Sequence, residues 1–401
     1  MREIRTGFAN LPLHGGKCPA WLFTQMKSLA RAIIEIIIED SGVEEVLNRI
    51  SNPYWFQALG CVVGFDWHSS GVTTTVCGAL KEGLSEMGPR AGLFFAGGKG
   101  RAARNTPEEI KQIADKHPIA HSVEALIYAS RMSAKIDNTA VQDGYDIYHH
   151  FFIFTSQGTW AVIQQGMNAD LKQARRYHWL SSLFSSFIEE PHAAICCDYM
   201  GEALNLVSWE NTDMRNYTAK LALVPPQALI KELSLIESKL PALTLPQRHS
   251  IPRTAYLNRA LTAAYDRHPE SFEELLQIPG IGPGTLRALC LVAEVAFGAK
   301  PSYADPVRYS FAHGGKDGFP FPVNKADIEN SYQTLNRAIA RSRIGRREQL
   351  EALRKLANWH STIVTSHATP KNDFNRVGNK VVERNGVRSS SGLYQAGLFE
   401  T

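Results

Sequence analysis

At 401 residues and 44% hydrophobic content the chain exceeds one ordinary core, so two domains are the expectation. The formal net charge of +4 does not by itself mark a nucleic-acid binder, and the most apolar run, 32–38, is interrupted by Glu35 and flanked by Arg31 and Glu39, which excludes a bilayer span. Cysteines at 18, 61, 77, 196, 197 and 290 form no C-x-x-C pair and follow no secretory signal, which predicts a reduced cytoplasmic protein with no structural zinc and no membrane role.

Apolar residues recur at helical spacing over 19–50, until Ser51-Asn52-Pro53 stops the pattern, and a second helix is predicted over 73–87. Between them, GFDWHSSGVTTT (64–75) gathers Asp66, His68, Ser69 and Ser70 around two glycines, either as a capped turn or as a binding loop. A short strand over 93–96 ends in Gly97-Gly98-Lys99-Gly100. That cluster lacks the G-x-x-x-x-G-K-[ST] spelling of a P-loop, which leaves Lys99 as a candidate phosphate contact without a cradle. Thr106-Pro107-Glu108-Glu109 has the spelling of a capping box, and another helix is predicted over 122–136.

The strongest β signal is YDIYHHFFIFTSQGTWAVIQQGM (145–167), two aromatic and β-branched runs joined at Ser156-Gln157-Gly158. With Thr155 opposite Thr159, His150 faces Gln164 and His149 faces Gln165. Period-two alternation places the two pairs on opposite faces, so one of them should meet a cleft or solvent. Asp143 stands at the entrance of this ribbon. A carboxylate with histidines and amides nearby can hold a divalent cation and position a water for phosphodiester hydrolysis. The alternative is a buried ribbon of neutral histidines satisfied by amides.

A helix is predicted over 174–187. It carries Arg175-Arg176-Tyr177-His178-Trp179, a mixture that suits phosphate contact with base stacking or an ordinary helix surface. Further helical pattern covers 211–240, broken at Pro225-Pro226, then a polar linker 243–254, then helices over 255–364. Within these, LLQIPGIGPGTLRAL (275–289) predicts two helices joined by a turn at Gly280-Ile281-Gly282. Ile281 would plug the core, and Gly280, Gly282, Gly284, Thr285 and Arg287 would meet a DNA phosphate at a helix N-terminus; an ordinary helical hairpin is the alternative. Arg337, Arg341, Arg343, Arg346, Arg347, Arg354 and Lys355 crowd one segment, as a solvated surface or a phosphate-facing stripe. The tail 366–401 reads as disordered. It ends in Gln395, Leu398 and Phe399 at a spacing similar to the peptide by which bacterial repair enzymes dock on the β sliding clamp.

Taken together, TGFANLPLHGGKCPAWLF (6–23), FQALGCVVGFDWHSSGVTTT, AGGKG, YHHFFIFTSQGTWAVIQQGMN, ARRYHW, the stretch 275–289, which resembles a helix-hairpin-helix, and YSFAHGGKDG (309–318) resemble the domain-of-unknown-function family 763 over residues 1 to about 360. The resemblance implies an N-terminal domain of unusual fold with metal-dependent nuclease activity, a helix-hairpin-helix domain for DNA binding, and a homodimer. It gives no catalytic assignment. The hairpin is also similar to that of DNA glycosylases of the endonuclease III type. Gly284 stands at their lysine position, which argues against strand cleavage, and Asp305 stands at the aspartate position.

The expected fold class is therefore α+β: a mixed α/β domain with a β-hairpin over 1–242, an all-helical helix-hairpin-helix domain over 255–365, and the tail. The expected function is a DNA-binding, metal-dependent nuclease of repair or replication using Mg or Mn. Its candidate active-site residues are Asp66, His68, Asp143, His149, His150, Gln164 and Gln165, with Asp66 and Asp143 as metal ligands. Candidate DNA contacts are the hairpin residues with Lys99, Arg175 and Arg176. Alternatives are a non-catalytic DNA-binding or repair-assembly protein and a monofunctional glycosylase.

Overall fold

The computed structural model describes residues 18–64, 71–183, 185–197, 199, 201–239, 254–306 and 325–367. Asp66, His68, Gln395, Leu398 and Phe399 lie outside them. The chain opens with helices α1 (Ala20–Ser41), α2 (Val43–Ser51), α3 (Pro53–Val63), α4 (Gly71–Gly83) and the short α5 (Met87–Arg90). Gly42, at φ +85°, separates α1 from α2. The Asn52 side chain accepts from the N–H groups of Tyr54 and Trp55, and Pro53 fits the first turn, so the predicted stop is also the start of α3.

Next come β1 (Leu93–Lys99), α6 (Arg101–Arg104), α7 (Thr106–Ala114), α8 (Val123–Lys135), a π-helical turn Ile136–Ala140 and β2 (Val141–Gln142). Strands β3 (Asp146–Thr155), β4 (Trp160–Asn168), β5 (Gln173–Leu180), β6 (Ala194–Cys196) and β7 (Leu204–Asn205) follow. The remaining elements are α9 (Thr212–Leu221), α10 (Pro226–Lys239), α11 (Thr254–Arg267), α12 (Phe272–Gln277), α13 (Pro283–Phe297), α14 (Lys325–Arg341) and α15 (Arg346–His367). Among the described residues no helix is long and apolar enough to cross a membrane.

An antiparallel five-stranded sheet, β1-β3-β4-β5-β6, forms the middle layer. The β3–β4 register has the expected pairing: His150 opposite Gln164 and His149 opposite Gln165, closed by paired Thr155 and Thr159 hydroxyls 2.7 Å apart. Side-chain alternation then sorts the strands into two cores. Phe152, Phe154, Val162 and Trp179 pack with α7–α13, while Phe151, Ile153, Ile163 and Leu180 pack with α1–α4, α14 and α15. Both faces of the sheet are therefore covered. The helices of 255–365 divide between them: α11–α13 join the first core and α14–α15 the second.

Two expectations fail here. The segment predicted as a helix over 174–187 begins as strand β5, and its consecutive arginines consequently point to opposite faces. A strand buried on both sides loses the polar alternation by which strands are recognised, and the aromatic content of Tyr177-His178-Trp179 was the better guide. The capping box is also absent. Glu109 turns away from the start of α7 to accept from the Gly97 N–H at 2.8 Å, while Lys81 donates to the Gly97 carbonyl at 2.9 Å and pairs with Glu109 at 2.6 Å. These two charges occupy edge-strand backbone groups that would otherwise stand open. Gly97 itself, at φ +87°, leaves no room for a side chain: a Cβ would lie 2.3 Å from the His150 carbonyl oxygen.

Arg175 ties distant parts of the chain to the first face. Its guanidinium donates to Asp143 at 2.8 Å, to both Asp305 oxygens at 3.0 and 2.8 Å, and to the Tyr199 carbonyl at 3.2 Å, and it lies 4.4 Å from the centre of the Tyr145 ring. Removing it would leave two carboxylates buried without their cation. Arg175→Met should therefore lower the free energy of unfolding by about 3–5 kcal/mol in a urea titration; a loss below about 1 kcal/mol would contradict a buried, cooperative triad.

Candidate functional site

The transverse register of the sheet assembles one row on the face toward α3 and α4: Lys99 pairs with His149, His149 with Gln165, Gln165 with Arg176, and Arg176 with Cys196. Directly paired residues of antiparallel strands point to the same side, so four residues that sequence reasoning scattered among catalytic and DNA-binding roles come together here. The row runs from Lys99, which is exposed, to Arg176, which is 1% exposed. A β-bulge at Ile147/His149 adds Tyr148 to it. Two residues of β3 oppose Gln165, and the Gln165 amide donates to the Tyr148 hydroxyl at 2.5 Å.

Arg176 is held over the Phe56 ring at 4.5 Å and donates to His178 Nε2 at 2.9 Å, Gln57 Oε1 at 3.3 Å and Thr73 Oγ1 at 3.4 Å. Phe56, Gln57 and Thr73 come from α3 and α4, the helices on either side of 65–70. His149 is different. Its ring is 1% exposed, lies 6.3 Å from the parallel Phe151 ring, and among the described residues has a hydrogen-bond partner on neither nitrogen. Burial, then the neighbouring His150 and Lys99, pushes its pKa down to about 3. A neutral imidazole with two vacant hydrogen-bonding positions between two cations can accept a proton, donate one, or bind an anion's oxygen.

His150, one residue on, meets the opposite face and is fully satisfied. Its Nδ1 donates to Gln164 Oε1 at 2.9 Å and its Nε2 accepts from the Ser130 hydroxyl at 2.9 Å. Gln164 continues to Asp137 of the π-helical turn, whose carboxylate also accepts from Trp179 Nε1 at 3.0 Å and His192 Nε2 at 2.5 Å. Burial lowers the His150 pKa to about 4. Here the amide-satisfied neutral histidine is realised. Both His–Gln pairs are buried, contrary to the expectation that one would face a cleft or solvent, because helices cover both sides of the ribbon.

Asp143 joins neither histidine network. One oxygen accepts from the Tyr145 N–H at 3.1 Å, and the other from Arg175 at 2.8 Å and the Tyr177 hydroxyl at 2.7 Å. Burial raises its pKa, and Arg175 and Tyr177 oppose that shift. Asp305 is likewise held by Arg175 and by the Gly201 N–H at 2.8 Å. Among the described residues no three metal-ligating side chains converge. At the helical turn, Ile281 is buried, while Pro279 and Gly280 are exposed, with Gly280 at φ +92°. Gln142 donates to the Pro283 carbonyl at 3.1 Å and accepts from Arg287 at 2.8 Å, and the buried Thr285 hydroxyl has no partner. Sequence reasoning missed Tyr148, Gln57 and Thr73 in the row and Asp137, Ser130 and His192 opposite it. Only the bulge and the helix docking bring them in.

The model of a family described as "Protein of unknown function (DUF763)" matches residues 7–323. No curated protein and no solved structure matches the chain.

The two depressed histidines set a pH dependence. Their folded pKa values, about 3 and about 4, lie below the ordinary 6.5, so as pH falls below 6.5 the unfolded chain binds protons first. Stability is fully present above that pH and declines on acidification, by about 2 kcal/mol per histidine at pH 5. Thermal melts from pH 7.5 to 5 should show this decline, and His149→Phe should flatten it. An unchanged slope in the variant would mean that His149 is solvated or charged in the fold.

Proposed function

Because the chain belongs to the DUF763 family, whose description assigns no activity, we propose a function from the chain's own geometry: a DNA-binding protein of repair or replication whose sheet holds a site for phosphodiester hydrolysis. The observation that carries this reading is His149, a buried imidazole bonded on neither nitrogen among the described residues and in register with Lys99, Gln165 and Arg176. Hydrolysis needs a group that moves a proton to or from water or the leaving oxygen, and positive charge beside the phosphorus-bound oxygens. A neutral imidazole supplies the first, and Lys99, at the exposed end of the row, supplies the second. Asp143 does not fit a Mg²⁺ or Mn²⁺ ligand, since hydrogen bonds take up both its oxygens.

DNA affinity is assigned to the turn between α12 and α13. Pro279 and Gly280 expose bare backbone there, and α13 opens with Gly282, Pro283 and Gly284, whose small or ring-bound side chains permit a phosphate to approach. The saturated state of Asp143 and Asp305 favours a second reading, a non-catalytic DNA-binding or assembly protein. A glycosylase is the least supported, because Arg175 holds Asp305 through both oxygens. On the same reading Gln395, Leu398 and Phe399 dock on a sliding clamp.

Incubation with labelled single-stranded, duplex and forked DNA, with Mg²⁺, with Mn²⁺ and with chelator, tests the site. Wild type should cleave at least one substrate, and His149→Gln should lower the rate by about 10²–10⁴-fold with DNA affinity retained. Full activity in the variant would remove His149 from the site. No cleavage by wild type on any substrate would leave the non-catalytic reading. Replacing Gly280 and Gly282 by valine should weaken binding to all sequences alike; a folded double variant with unchanged affinity would make the turn purely structural.

A further inference from the structure

Beside the turn lies a groove of about 550 Å³ between α7, α8 and the end of α12, bordered by Ile278 and Pro279. Its floor is apolar, with Ile127, Met132 and Leu276 all buried. Its rim is cationic. Lys111 and Arg131 are exposed, and among the described residues neither forms an ion pair. Lys135, the third cation, donates to the Ile281 carbonyl, which fastens the groove wall to the turn. Of the lining residues, the acid is Glu124, which accepts from the Ser122 hydroxyl at 3.0 Å and also feels the charge of Lys111. The Tyr128 hydroxyl is bonded to Glu273 and to Gln277, and its ring meets Phe187 edge-on, so that side chain is fixed.

We propose that this groove holds an unpaired stretch of DNA, with base faces against the apolar floor and phosphates on Lys111 and Arg131. The proposal rests on the DNA-binding reading and narrows its substrate to DNA with a single-stranded segment beside a duplex. The chemistry separates this occupant from others. Paired bases in a duplex hide their faces in the stack and present only phosphates and groove edges, so a duplex gains nothing from the floor and is held at the turn instead. An apolar peptide could use the floor but would leave Arg131 without a counter-charge and Lys111 with Glu124 alone. An unpaired strand offers a π-face and an anion at every nucleotide. The volume also falls within the usual range for a bound nucleotide-sized ligand, and the groove is continuous with the turn that would hold the adjoining duplex.

The test is fluorescence anisotropy of full-length protein with a blunt duplex, the same duplex carrying a single-stranded oligo-dT tail, and free oligo-dT. Wild type should bind the tailed duplex about tenfold more tightly than the blunt one. Lys111→Glu with Arg131→Glu should abolish that difference while leaving blunt-duplex affinity near wild type, and the milder Lys111→Gln with Arg131→Gln should reduce it. Thermal melts check that each variant is folded. A wild type that binds both duplexes equally would overturn the groove while leaving the turn's duplex binding intact. Variants that weaken blunt and tailed DNA in equal measure would also overturn it, reducing the rim to general electrostatics. Failure of all three DNAs to bind would overturn the groove and the DNA-binding reading together.

Discussion

Where helices cover both faces of the sheet, a side chain cannot reach water, so the buried histidines, arginines and amides of its strands must find partners inside or cost stability. Unpaired burial of one such group costs about 1–3 kcal/mol. This constraint organises the molecule. Arg175 and Arg176 are adjacent on β5 and buried on opposite faces, and each gathers its surroundings: Arg175 draws in Asp143, Asp305 and the Tyr199 carbonyl, and Arg176 draws in His178, Gln57 and Thr73. The first face is closed by charge compensation. On the second face, the described partners of the Arg176 guanidinium are neutral acceptors and an aromatic ring.

Against that background His149 stands out: among the described residues neither of its nitrogens has a hydrogen-bond partner, whereas Arg175 and His178 each lack one at a single nitrogen. His150, its neighbour, satisfies both nitrogens through Ser130 and Gln164, so burial of a histidine on this ribbon does not require an orphan. The bulge at Tyr148 takes up the hydroxyl–amide bond with Gln165, the amide directly opposite His149. His149 is thereby deprived of the partner its register provides. Buried unsatisfied groups of this kind mark places where stability has been given up for something else, commonly a ligand or a reaction.

Much of the sheet was legible in the sequence because hairpin register follows from a single closing pair: once Thr155 meets Thr159, His149 and Gln165 must face each other. Helix starts were legible where a cap sits beside proline, as at Asn52-Pro53. What was not legible depended on contacts between distant segments. β5 read as a helix because a strand buried on both sides has no alternation. Lys99 and Arg176, read as separate DNA contacts, became one row only when β1 and β5 took their places on either side of the hairpin. Asp143, whose position invited a metal-ligand reading, is bonded to an arginine and a tyrosine of β5 that no local pattern associates with it.

The central proposal is that the His149 imidazole, bonded on neither nitrogen among the described residues, receives a ligand beside Lys99. Nitrogen-15 NMR of the imidazole at neutral pH measures this directly, before and after addition of a non-hydrolysable phosphorothioate oligonucleotide. The account predicts a neutral ring whose nitrogen shifts report no hydrogen bond in the free protein and a changed resonance in the complex, with the change abolished when Lys99 is replaced by alanine. A ring already hydrogen-bonded in the free protein, or resonances indifferent to the oligonucleotide, would contradict it.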